Sequence, residues 1–244
     1  MALAGAGPAV LETFARSHVL LAFDYDGTLA PLASAPARAT MRRSTRLLLE
    51  RVSAKYPVVV ISGRARDDAL ERLQGVEVCR VVGNHGAEPA ADGAAIRRRV
   101  RQWLPVLKAR LARHQGVVIE DKLLSIAVHY RNARDRNGTR RAILSAGAAL
   151  FDVRIVGGKL VVNFVVPDAP HKGLALERER RHLACDTAIY VGDDVTDEDV
   201  FQLDRPWLHS IRVGRLRSSA ARYYLRDQAE IDRLLETLVA LRGR

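Results

Sequence analysis

Two aspartates two residues apart, Asp24 and Asp26, close the apolar run in LLAFDYDGTLAP and are followed by Gly27 and Thr28. A buried strand gains nothing from carboxylates at its end. Side by side and out of water they repel, and they resist ionising together unless a cation or a hydrogen-bond network lies between them. Three other polar groups recur in similar settings: Ser62, Gly63 and Arg64 after PVVVI; Asp193, Asp194, Asp197, Glu198 and Asp199 in GDDVTDED after AIYV; and Lys172 in PDAPHKG. Acidic residues from two strand ends can share Mg²⁺, which takes hard oxygen ligands. Such a set makes a phosphoryl-transfer site intelligible. Asp24 is then free to attack phosphorus, and Asp26, on the same side of the chain, can protonate the leaving oxygen. Thr28, Ser62 and Lys172 would give donors and positive charge to the equatorial phosphoryl oxygens. Gly63 and Arg64 beside Ser62 favour phosphate binding over a plain helix cap. Asp194 and Asp197 either order the metal or Lys172, or only begin the next helix.

Chemistry of this kind needs strands that end together. VLLAF (19–23), PVVVIS (57–62) and AIYVG (188–192) are continuous apolar runs, as expected of strands covered on both faces. VCRVVG (78–83) and HSIRVG (209–214) are weaker candidates. Helical patterns fall at 42–55, 65–74 and 173–183, and Ile231, Leu234, Leu235, Leu238 and Leu241 recur at helix spacing near the end. This alternation predicts a doubly wound α/β domain whose ligands bind beyond the carboxyl ends of the strands. The middle differs. A helix carrying Trp103, Leu104, Leu107 and Leu111 precedes GVVIEDKLLSIAVHY, and another at 142–150 precedes VRIVGGKLVVNFVV. In the first of these segments Ile126 and Val128 share one face and Ser125, Ala127 and His129 the other. In the second, Gly157-Gly158 signals a hairpin turn. The reading is a small α+β domain at 100–166, inserted into a core made of 1–99 and 167–244.

Composition narrows the classes further. The 244 residues are 48% hydrophobic, ample for a real core. The net charge of +11 invites a nucleic-acid reading. Yet the basic clusters at 97–99 and 131–141 lack interleaved aromatics, so no nucleic-acid partner is expected. Apolar runs are too short to cross a bilayer, and the first residues lack a signal-peptide pattern. Cys79 and Cys185 have no disulfide or metal spacing. A cytoplasmic protein with no membrane or obligate protein partner is the expectation.

Taken in order, DYDGT, ISGR, HKG and GDDVTDED resemble the four motifs of haloacid dehalogenase superfamily phosphatases. FDYDGTLAPL, VVVISGR, VVGNHGAE, IEDKLLSIAVHYR and YVGDDVTDEDVF resemble the trehalose-6-phosphate phosphatases over nearly the whole chain. The resemblance implies a Rossmann-like doubly wound α/β core with an inserted α+β cap, Mg²⁺ as cofactor and an aspartyl-phosphate intermediate. These roles fall on Asp24, Asp26 and Asp193, with the Asp26 backbone carbonyl expected on the metal and Asp194 and Asp197 as further candidates. It implies a phosphorylated disaccharide as substrate, contacted in the cap by Glu120 and Lys122. His129 and Arg131 lie close by in the family pattern, and His85 of GNHGAE joins the candidate substrate residues. His129 and Tyr130 could equally be cap core. Where the family carries Glu-x-Arg/Lys-Pro this chain has NFVV, so Asn163 stands for a sugar-contacting Glu and Val165 for a basic neighbour. Asn still donates and accepts hydrogen bonds.

Overall fold

The run VLLAF forms β1 (Val19–Phe23), every residue of it buried. It pairs in parallel with β2 (Val58–Ile61) on one side and β8 (Thr187–Gly192) on the other. The computed structural model describes residues 7–33, 38–89 and 93–243. It divides the chain into two compact units, Met1–Gly86 with His171–Arg244, and Ala87–Pro170. These boundaries lie outside the expected 100 and 166, because the first helix of the inserted unit already begins at Gly93.

In the first unit β3 (Arg80–Val82), β9 (Leu208–Val213) and β10 (Tyr223–Leu225) complete a six-stranded sheet in the order β10-β9-β8-β1-β2-β3. Each pairing in it is parallel. Alternate side chains serve two cores. Val19, Leu21 and Phe23 point to the face covered by α1 (Gly7–Arg16), α2 (Arg43–Ser53), α3 (Arg66–Arg72) and α8 (Glu230–Leu241). Leu20 and Ala22 meet Ala175 and Leu176 of α6 (Lys172–His182) and Phe201 of α7 (Glu198–Phe201) on the other. Burying each large aliphatic or aromatic side chain favours folding by about 1.5–3 kcal/mol. The strands therefore read as unbroken apolar runs.

The chain runs outward from β1 through β2 to β3, then returns to the other side of β1 for β8, β9 and β10. The order reverses between β1 and β8, the kind of switch point beyond whose carboxyl strand ends open α/β sheets bind ligands. Asp24 and Asp193 follow those two strands directly.

The second unit holds α4 (Gly93–Leu111), β4 (Val118–Asp121), β5 (Ser125–His129), α5 (Arg136–Ala148), β6 (Arg154–Gly158) and β7 (Val161–Val165). Its sheet is antiparallel in the order β4-β5-β7-β6. Ile126, Val128, Val162 and Phe164 pack on Trp103 and Leu107 of α4 and Ile143 of α5. The opposite face carries Glu120, Ala127 and Asn163 in one cross-strand row. The hairpin turn is not at Gly157-Gly158: both lie in β6, Gly158 pairs with Val161, and Lys159-Leu160 make the turn, Leu160 at φ +61°. Leucine tolerates that left-handed position poorly, which hides the turn from composition. Both cysteines are free, and no helix among the described residues is long and apolar enough to cross a membrane.

Candidate active site

Backbone pairing places the first aspartates. The Asp24 amide donates to the Val191 carbonyl at 2.9 Å, so the residue leaves β1 beside the end of β8. The chain then folds back on itself: the Gly27 amide donates to the Ala30 carbonyl at 2.7 Å and the Ala30 amide to Tyr25 at 2.9 Å. Gly27 sits at φ +82°, and a Cβ there would overlap the Asp193 carboxylate. Only glycine meets both requirements. From the far side Gln228 Nε2 donates to the Thr28 carbonyl at 2.8 Å. The Thr28 hydroxyl is buried without a hydrogen-bond partner, a donor suited to an incoming oxyanion.

Lys172 opens α6 and is 1% exposed. Its Nζ lies 2.9 Å from Asp24 Oδ1 and 2.7 Å from Asp197 Oδ1. Burial opposes its charge, but the Asp197 and Asp24 carboxylates outweigh that cost and hold its pKa above the ordinary lysine value. Asp24 shows the opposite strain. Burial pushes its carboxyl well above the usual range; Lys172 pulls it down, and Asp197, Asp193 and Asp26 push it up again. Oxygens of Asp24, Asp193 and Asp197 lie within 4.8 Å of one another. This crowd of hard oxygen donors with an excess of negative charge fits a divalent metal ion.

The acidic loop separates into distinct roles. Asp197 is committed: one oxygen accepts from Lys172 and from Tyr190 Oη, the latter at 2.7 Å, and the other accepts from the amides of Asp193 and Asp194 at 2.8 Å each. Four donors fill its lone pairs. It serves Lys172 and the loop backbone, which leaves Asp24 and Asp193 as the better placed candidate ligands. Asp194 caps a short 3-10 turn at residues 195–197, reciprocally with Asp197. The Asp26 side chain turns toward Arg64, which donates to Asp26 and Asp68.

Ser62 directly follows β2, fully buried, and its hydroxyl accepts from the Arg64 amide at 3.2 Å. His85 belongs to a left-handed turn, Asn84 at φ +47° and His85 at φ +58°. Its amide donates to the Ser62 carbonyl at 2.9 Å and its ring fills the space where a Cβ on Gly63 would stand. Both contacts make His85 a support for the 62–64 loop. In the second unit His129 Nε2 meets Glu120 Oε2 at 2.8 Å. Lys122 is 9% exposed, Asn163 is buried on β7, and Arg131 lies in the turn after β5. Three site residues carried no signal in the sequence. Tyr190 and Arg212 lie inside strands and Gln228 in a loop, and no motif marks them.

A six-stranded parallel sheet with a buried aspartate, a buried lysine and an acidic loop at its reversal point, interrupted by an α+β insertion, defines a haloacid dehalogenase-type fold. Within that class the sequence profile of the trehalose-phosphatase family matches residues 22–221. The chain belongs to that family. It is 35% identical over 210 residues to the trehalose-phosphate phosphatase of Mycobacterium avium, covering 80% of this chain and 53% of that protein. To the trehalose 6-phosphate phosphatase RA3 of Zea mays it is 29% identical over 257 residues, with 93% and 71% covered. The chain thus spans about half the length of the mycobacterial relatives it matches. The C-terminal domain of Candida albicans trehalose-6-phosphate phosphatase shares its fold at a TM-score of 0.77 and 22% identity, with 97% of this chain and 96% of that one covered.

Proposed function

We propose that the chain is a Mg²⁺-dependent phosphatase that hydrolyses trehalose 6-phosphate to trehalose and phosphate. The observation that carries this reading is the Asp24 carboxylate held 2.9 Å from Lys172 at the reversal point of the sheet, in a chain of the trehalose-phosphatase family. Asp24 Oδ forms a bond to phosphorus while the bond from phosphorus to the sugar oxygen breaks, and Asp26 gives that oxygen its proton. Water then attacks the aspartyl phosphate, Asp26 takes the proton back, and Asp24 is released with free phosphate.

Lys172 and the Thr28 and Ser62 hydroxyls meet the phosphoryl oxygens as charge gathers on them. Arg64 would move its donors from Asp26 to the same oxygens when substrate enters. Asp24, Asp193 and the Asp26 carbonyl would hold Mg²⁺, which offsets phosphoryl and carboxylate charge. The inserted unit acts as cap, with Glu120, Lys122, His129, Arg131 and Asn163 as its sugar-reading residues. A cytoplasmic setting accords with the free cysteines.

A second reading, another phosphorylated disaccharide, is favoured by Asn163 and Val165, an amide and an aliphatic side chain on one strand of the polar sheet face. Phosphate release from trehalose 6-phosphate, sucrose 6-phosphate, glucose 6-phosphate and a nitrophenyl ester decides between them. Trehalose 6-phosphate should be turned over fastest, excess chelator should stop the reaction, and Mg²⁺ should restore it. Asp24→Asn should release no phosphate while melting as the parent does. Turnover by that variant near the parent rate removes the mechanism, and preference for another disaccharide phosphate removes the substrate.

A further inference from the structure

Gly192 and Arg212 face each other as register partners at the carboxyl ends of β8 and β9. The Arg212 side chain, in a residue 6% exposed, turns into the loop that follows β8. Its Nη2 donates to the Asp193 carbonyl at 2.6 Å, and its Nη1 to the Asp194 carbonyl at 3.2 Å and to Glu198 Oε1 at 2.9 Å. Glu198 Oε2 in turn accepts from the Ala220 amide at 3.0 Å. The amides of the same two aspartates end on a single oxygen of Asp197. All four backbone polar groups of Asp193-Asp194 are therefore held by charged side chains, the N–H groups by an anion and the carbonyls by a cation.

A guanidinium suits this position. Its planar fork spans two carbonyls and a carboxylate at once, which a lysine ammonium at the end of a flexible stem does not reproduce. We propose that Arg212 is a positioning residue of the metal site: by gripping both carbonyls it fixes the direction in which Asp193 presents its carboxylate, and so sets the affinity for Mg²⁺. The proposal rests on Asp193 being a Mg²⁺ ligand, as read above. Partners that orient a metal ligand typically change affinity by roughly 10- to 100-fold when removed.

Charge and position act with opposite sign here, which makes the idea testable. Deleting a positive charge near a cation site would, by itself, strengthen Mg²⁺ binding. Losing the grip on Asp193 weakens it. Mg²⁺ titrated calorimetrically into the full chain and into Arg212→Lys and Arg212→Met should bind both variants about 10- to 100-fold more weakly, although the lysine keeps the charge. Glu198→Gln, which leaves the carbonyl contacts in place, should fall between parent and Arg212→Lys. Melting in chelator identifies any variant that does not fold, and Arg212→Lys with Glu198→Gln then carry the test. Parent-like affinity in Arg212→Lys, or tighter binding in Arg212→Met, overturns the proposal even if both variants melt earlier. A parent chain that binds no Mg²⁺ overturns the metal reading and this proposal with it.

Discussion

Arg64 closes its guanidinium fork on Asp26, Nε to Oδ2 at 2.6 Å and Nη2 to Oδ1 at 2.7 Å, while Nη1 reaches Asp68 at 2.6 Å. The arginine side chain is 7% exposed and the aspartate 32%, so the pair is only partly open to water. Bidentate geometry of this kind is lost on substitution by lysine. Arg64→Lys should lower kcat/KM, because an ammonium cannot repeat the two-pronged grip that holds Asp26 before substrate enters and is proposed to pass to the phosphoryl oxygens afterwards. Loss of a charged hydrogen bond costs on the order of 1.5–3 kcal/mol, or roughly 10- to 150-fold in rate. Parent-like kinetics would show that the fork plays no part in turnover.

Tyr190 offers a cleaner probe of the lysine's support. Its hydroxyl donates to Asp197 Oδ1 at 2.7 Å, and its ring lies edge-on to Phe201 with centroids 6.0 Å apart. Tyr190→Phe keeps the ring and removes only the donor. Unfolding in urea should show a stability loss of about 1.5–3 kcal/mol, the usual range for a buried hydrogen bond to a charged group. A loss under half a kcal/mol would mean that the other donors to Asp197 compensate fully.

A pH dependence of stability follows from His209. It is buried on β9, with its ring stacked on Tyr223 at 4.3 Å and tilted against Phe14 at 5.1 Å. Burial, aided by the positive charge of Arg222, lowers its pKa from 6.5 to about 4. The folded value lies below the unfolded one, so the unfolded chain takes up the extra proton first. The stability of the neutral ring is complete above pH 6.5 and is lost as the pH falls through about 4. The loss approaches about 3 kcal/mol by pH 4. Denaturant curves of parent and His209→Phe between pH 7 and 4 test this, and equal slopes would exclude His209 as the source.

Selectivity should reside in the inserted unit. Glu120→Ala and Lys122→Ala are expected to reduce kcat/KM for trehalose 6-phosphate by roughly 10- to 150-fold and to leave a nitrophenyl phosphate ester nearly untouched. Binding energy far from the reacting atoms orients only the larger substrate. Asn163→Glu should improve trehalose 6-phosphate turnover if that sugar or a close analogue is the native ligand. Equal losses on both substrates would assign these residues to folding.

Much of this architecture is legible in the sequence because strand burial and site chemistry both leave local marks. VLLAF, VVVI and AIYVG are apolar throughout, since both faces of the parallel sheet are covered. The polar residues stand immediately after them. What local pattern does not reveal is a side chain acting at a distance. Arg212 is one of 39 lysines and arginines, and its three acceptors come from residues 14 to 19 positions away. The commitment of Asp197 to Lys172, 25 positions away, is equally invisible. So is Gln228, which holds a loop 200 positions earlier. The 159–160 turn is masked by two glycines just before it, which lie in the strand; a Cβ added at Gly157 would meet nothing within 4 Å.

The chain leaves the first unit after Gly86 and comes back at His171, and at that seam the backbones touch: a Cβ on Gly86 would lie 2.6 Å from the His171 carbonyl carbon and oxygen. The insertion hangs on the first unit as a side loop whose two roots share one spot. Such a graft leaves the parallel sheet and both of its apolar layers uninterrupted. A change in length or sequence within 87–170 therefore need not move Lys172, one residue past the seam, or the carboxylates around it.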